Sequence, residues 1–206
     1  MGRRVYDNLV RSSRFIYAVH LPVLLLTLVP ILLRWPPLLL PPHIVLLELL
    51  IDPACSLVLE AEAEAPDLMA RPPRAPDENP FGLAALGRGL QQGLVIAVPL
   101  LAFAAFGVSQ GWTELTLRGG VFPGLVLGCT FLVLAARGPC RAPNPLVLGM
   151  GGAVALALLL LLLPPLRRLL DLGPLLGAPL AGGLGAAAVG GMATMGWRRA
   201  ASRREG

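Results

Sequence analysis

The run from His43 to Glu60, H-I-V-L-L-E-L-L-I-D-P-A-C-S-L-V-L-E, constrains this chain more than any other stretch. It has the length and apolarity of a membrane crossing, yet it carries Glu48 and Asp52 at i and i+4, with Pro53 directly after the second acid. An ionisable side chain at the bilayer centre costs about 2.5–3.5 kcal/mol on insertion scales, so two acids on one helical face need a cation, a proton or an internal partner. Pro53 supplies no backbone donor and clashes with the carbonyl of Leu49, which predicts a kink or unwinding between the acids. Carbonyls released beside two carboxylates form an oxygen-rich setting suited to a cation.

The rest of the chain reads in the same way. Of its 206 residues 55% are hydrophobic, and the remaining polarity is concentrated between long apolar runs, which excludes an ordinary soluble domain. The apolar runs predict an all-α integral membrane protein, a six-span transmembrane helix bundle with both termini cytoplasmic. A basic entry segment, 1–14, precedes a first hairpin over 15–59, whose arms are Phe15 to Leu33 and Leu38 to Leu59, joined at Arg34-Trp35-Pro36-Pro37. Residues 60–89, rich in acids, arginines and prolines, read as a cytoplasmic loop. Four further spans fill 90–197: about Leu90 to Gln110, Gly119 to Ala136 after a loop containing Arg118, Pro145 to Leu163, and Leu175 to Trp197. Arg167 and Arg168 fall in the loop before the last span, and 198–206 is a basic cytoplasmic tail.

Arginine placement sets the orientation. All seventeen basic residues are arginines. With both ends inside, only Arg34, Arg118, Arg167 and Arg168 lie outside, as the positive-inside rule requires. Arginines at span ends, without an aromatic-interleaved basic patch, argue against nucleic acid as a partner and for membrane lipid. Cys55, Cys129 and Cys140 have no metal-site or disulfide spacing. The first apolar run holds His20, Pro22 and Pro30 and has no cleavage-site pattern, so it does not read as a signal peptide.

Other polar residues admit two readings each. His20 on the first span is a relay or ligand, or equally a hydrogen-bonded packing residue. His43 reads as interfacial, Glu60, Glu62 and Glu64 as a solvated acidic stretch, and Cys129 and Thr130 as weak ligand candidates. The glycines of the last span, among them Gly182, Gly183, Gly190 and Gly191, read as a helix packing face.

Several of these segments carry a resemblance. G-R-R-V-Y-D-N at the start resembles the segment joining the phosphorylation domain of P-type cation ATPases to their fifth membrane helix. L-E-L-L-I-D-P-A-C-S, followed by A-P-D-L-M-A-R-P-P-R-A-P, is similar to that family's sixth helix and the loop after it, in the bacterial branch related to calcium pumps. R-A-P-N-P-L and P-P-L-R-R-L-L resemble the two ends of its ninth helix.

The resemblance implies helices five to ten, a bacterial plasma-membrane location and a transported cation. It also implies a metal site to which Glu48, Asp52 and His20 contribute. Asp52 falls on the central cation-binding aspartate, Glu48 and His20 on asparagine ligands, and Ile51 on a threonine ligand. Val23 stands where the calcium pumps have a glutamate, so the donor set departs from the calcium pattern. The phosphorylation motif D-K-T-G-T, T-G-E and G-D-G-x-N-D do not occur in the sequence, so no catalytic residue and no cofactor is expected here. ATP and Mg2+ would be bound by a portion outside this chain. The expectation is therefore one half of a split pump, or a fragment of a pump, with a second chain as partner. The alternative is a stand-alone, non-catalytic membrane module derived from the pump fold.

Overall fold

A computed structural model describes residues 2–49, 82–137 and 145–202. The described residues are helical with no strand. The helices are α1 (Gly2–Leu33), α2 (41–49), α3 (Leu83–Ser109), α4 (Glu114–Ala136), α5 (Pro145–Leu160), α6 (Pro164–Leu169) and α7 (Ala178–Ser202). Four of them contain stretches long and apolar enough to cross a membrane: Asn8–Leu33, Leu86–Ser109, Glu114–Ala136 and Ala178–Gly196. The protein is an all-α membrane helix bundle. Pro53, Cys55, the three glutamates of 60–64, Cys140 and the expected basic turn after Arg137 lie outside the described residues.

The packing order follows from where the small residues sit. In lipid there is no hydrophobic force between helices, so close approach of backbones at small residues supplies much of the association. A methyl group on Gly89 would lie 2.7 Å from the Arg14 carbonyl, and one on Gly93 2.7 Å from the Ala18 carbonyl. This staggered pairing runs α1 and α3 parallel. Gly128 against Ile96 and Gly120 against Phe103 set α3 and α4 antiparallel. Gly120, Gly124 and Gly128 line α4 at four-residue spacing. A methyl on Gly124 would meet the Gly183 carbonyl at 2.6 Å, and Gly120 faces the Pro179 carbonyl, so α7 runs with α4. The N-terminal end of α1 and the C-terminal end of α7 therefore share one end of the bundle.

Helix α4 is the centre. Of its spanning stretch 72% is buried, against 28% for α1, 33% for α3 and 28% for α7. Its neighbours each bury a single face. On α1 that face is Phe15, Ala18, Val19 and Leu26, at the three- and four-residue spacing of an α-helix. On α3 it is Ile96, Ala97, Leu100 and Ala104.

Prolines inside the spans are accommodated by these contacts. Pro22 leaves the Ala18 carbonyl without its helical donor, and Pro99 does the same to Val95. Each of those carbonyls faces a glycine of the adjacent helix, Gly93 for Ala18 and Gly190 for Val95. A glycine Cα–H brought close to a carbonyl provides a weak donor, and a larger residue would hold the helices apart.

The structure departs from sequence expectation in several places. The helix of the first span starts at Gly2, so the basic entry segment is continuous with it. Pro41 and Pro42 start α2 three residues later than Leu38, because proline suits the first helical turn, where no backbone donor is needed. Arg118 belongs to α4 and not to the loop before it, because Thr113 caps the helix by accepting from the Thr116 N–H. Arg167 and Arg168 also lie in a helix, α6, begun by Pro164 and Pro165. Both α1 and α6 end in a left-handed residue, Arg34 (φ 56°) and Asp171 (φ 49°). Trp35 N–H then reaches back to Pro30 O, and Leu172 N–H to Arg167 O, closing each C-terminus in the Schellman manner.

Candidate cation site

His20 and Glu48 are brought together. Two antiparallel arms, α1 and α2, place His20 Nε2 3.6 Å from Glu48 Oε1, with the two side chains 50% and 40% exposed. His20 Nδ1 lies 2.9 Å from the Ile16 carbonyl one turn earlier. A carbonyl only accepts, so Nδ1 carries a proton and donates it. The other ring nitrogen, Nε2, then faces the carboxylate either as a lone pair or as an N–H, according to the charge on the ring. The arrangement is an imidazole nitrogen and a carboxylate oxygen side by side, beyond direct hydrogen-bond reach, on a half-open face of the bundle.

Asp52, the remaining expected ligand, lies outside the described residues, as does Ile51. Val23, on the same helix as His20, is partly buried against the core. Of the two residues on the fourth span, Thr130 gives its hydroxyl proton to the Val126 carbonyl of its own helix. Cys129 is fully buried on α4 within electrostatic reach of Glu48. Among the described residues no three His, Cys, Asp or Glu side chains form a group able to hold a metal ion. His20 and Glu48 therefore make up the described part of the candidate site.

A second polar cluster lies at the opposite end of α1 from its N-terminus. His43 is buried at this end of the bundle. Its Nδ1 accepts from the Leu40 N–H at 3.1 Å, which fixes the proton on Nε2, and Nε2 donates to the Leu170 carbonyl at 2.6 Å. The ring stacks on Phe122 of α4, with centroids 4.7 Å apart. This saturates the imidazole in its neutral form. A side chain reaching back from the third helical position to the N-cap N–H also caps α2.

Beside it, the nearly buried Arg118 guanidinium gathers three segments. Nε donates to Pro37 O at 3.0 Å, Nη1 to Asp171 O at 3.3 Å, and Nη2 to Glu114 Oε2 at 2.5 Å. Asp171 Oδ2 adds a charge 3.8 Å from Nη1, and Gly173 N–H donates to Leu115 O at 2.8 Å. Guanidinium suits this task because its donors form a fixed planar fork with no acceptor to satisfy. Sequence reasoning did not find this cluster. Its one local signal is Glu114 and Arg118 at i and i+4, and the two other segments join only through tertiary contact.

The turn at 34–40, the start of α4 and the segment 170–173 thus meet at one end, away from the chain ends. No curated protein matches the sequence. The family profile described as cation transporting ATPase, C-terminus, matches residues 36–199, which takes in α2 and all the later helices with the segments between them. With a helical membrane bundle and a carboxylate on α2 already in place, that match over most of the chain settles its kinship: this chain belongs to the cation-transporting P-type ATPases, and it carries their C-terminal membrane region.

Proposed function

We propose that this region supplies part of the ion-binding site of a P-type pump, with Glu48, His20 and Asp52 as ligands of the transported cation. The observation that carries the reading is the 3.6 Å approach of His20 Nε2 to Glu48 Oε1 across two spans. Metal–nitrogen and metal–oxygen bonds of about 2.0–2.4 Å put two donors on one cation roughly that far apart. An imidazole beside a carboxylate suits a divalent cation that accepts nitrogen, and calcium, which takes six to eight oxygens, is the poorer match. The departure at Val23, where calcium pumps have a carboxylate, points in the same direction.

Helices α1, α2, α3, α4, α5 and α7 act as the six spans corresponding to helices five to ten, with both chain ends in the cytoplasm of a bacterial cell. The clasp of Arg118, Asp171 and His43 then lies on the outer side, together with Arg34, Arg167 and Arg168. ATP and Mg2+ act on a phosphorylating portion outside these residues, carried by a second chain in the split-pump arrangement. Phosphorylation there tilts the spans and switches the side from which the cation reaches Glu48.

The test is affinity capture of the tagged chain from its native membrane in mild detergent, followed by assay of cation-stimulated ATPase activity. Capture of a phosphorylating partner, with cation stimulation lost in Asp52→Asn, is the expected result. Stable recovery of the chain alone, with no cation-stimulated activity, would overturn the pump reading in favour of a stand-alone membrane module.

A further inference from the structure

The helix that carries Glu48 is held at its N-terminal end by contacts that reach outside the hairpin. Leu38 and Leu39 are buried, Pro37 O accepts from Arg118 Nε at 3.0 Å, and His43 Nε2 donates to Leu170 O at 2.6 Å. The sequence follows this anchored segment directly into α2. Glu48 is five residues beyond His43, about 7.5 Å along the axis at the rise of an α-helix. Leu47, one turn below His43 on the same face, is 2% exposed, while Val45 and Leu49 are 66% and 70% exposed. The rotation of α2 is thus sharply defined, and Glu48 sits at the edge between its buried and open faces, opposite His20.

We propose that His43 and Arg118 are positioning residues for Glu48: the clasp they form with Leu170, Asp171 and Pro37 fixes the height and rotation of α2. Its bonds tie the turn before α2 to α4 through Pro37 O and tie both α4 and α2 to the 170–171 segment through Asp171 O and Leu170 O, so the clasp resists both sliding and turning of the helix. A turn of one residue, about 100°, carries Glu48 away from His20 and brings Leu47 out of the core to the edge that Glu48 now holds. The proposal rests on the reading of Glu48 as a cation ligand only for its functional consequence; the geometry is separate.

The experiment uses the full chain in detergent with Cys55, Cys129 and Cys140 replaced by alanine and one cysteine introduced at a time. N-ethylmaleimide labelling of Val45→Cys is expected to run at least tenfold faster than that of Leu47→Cys. In His43→Phe, which keeps a ring against Phe122 and loses both hydrogen bonds, the ratio falls toward one. His43→Gln, whose amide can accept from Leu40 and donate to Leu170, restores it. Val98→Cys and Leu100→Cys on α3, 57% and 0% exposed, keep their own ratio throughout and report an intact bundle. An unchanged 45-to-47 ratio in His43→Phe overturns the proposal. So does collapse of the α3 ratio with it, which would make the clasp a general fold element. In the captured pump, His43→Phe is expected to raise the cation concentration for half-stimulation about tenfold, with His43→Gln restoring it. If the unsubstituted pump shows no cation response, the cation reading falls while the labelling ratio still decides this one.

Discussion

The two polar clusters of this bundle solve the same problem in opposite ways. At the clasp, Arg118 is 6% exposed in its side chain and has acceptors at 2.5, 3.0 and 3.3 Å from three different segments. At the candidate site, His20 and Glu48 are half-open and stand 3.6 Å apart. A buried charge bound by two backbone carbonyls and a carboxylate has little left to offer a ligand, and its role is to join segments. The imidazole nitrogen and the carboxylate oxygen at the candidate site are half-exposed and 3.6 Å apart, a separation that one cation bound to both can span. On the proposed reading, the contrast separates polar residues that hold a membrane protein together from those that serve its cargo.

Five substitutions break or sharpen that contrast. The largest effect is expected at the clasp. Arg118→Met leaves Glu114 and Asp171 without their cation and Pro37 O without its donor, and should cost about 3 kcal/mol, read as a lowered thermal unfolding midpoint in detergent. The glycine frame under both clusters comes next. Gly183→Leu forces α7 off the backbone of Gly120 and should cost about 2–3 kcal/mol, whereas Gly149→Leu, with nothing within 4 Å of an added Cβ, should leave the midpoint nearly unchanged. At the open site the balance reverses: Glu48→Gln should weaken cation stimulation at least tenfold while the unfolding midpoint shifts by less than the equivalent of about 1 kcal/mol. The smallest effect is at the hairpin between the two clusters. Arg34→Gly relieves a left-handed non-glycine residue and should stabilise by about 0.5–1 kcal/mol.

How much of this was legible in the sequence depends on whether the signal is local. Membrane spans are local, because every backbone group in lipid must be satisfied within its own helix, so apolar length alone marks them. Four spans seen in the structure follow the apolar runs. The small-residue face of the last span was also legible, and Gly183 and Gly190 do pack against Gly120 and Ile96. The partner face on α4, Gly120, Gly124 and Gly128, was not singled out, since a packing face is defined only by what meets it.

Glu48 stood out because an acid in a span is costly wherever its partner is. Its nearness to His20 needed the hairpin, which the sequence supplied only as a turn at 34–37. Arg118 was placed in a loop because a charge beside an apolar run is read as the run's end. Its three acceptors come from residues as far apart in sequence as Pro37 and Asp171, and no spacing rule connects them. The burial of His43 was hidden for the same reason: its partner, Leu170 O, lies 127 residues away. Residues that bind along the chain are visible early, and those that bind across it emerge with the fold.

The most direct test of the central claim is the cation dependence of ATPase activity in the captured complex, unsubstituted and with Glu48→Gln. The account predicts that the half-stimulating concentration rises at least tenfold in Glu48→Gln while the maximum at saturating cation is largely kept. An unchanged cation dependence would contradict it, and would place the transported ion elsewhere than between α1 and α2.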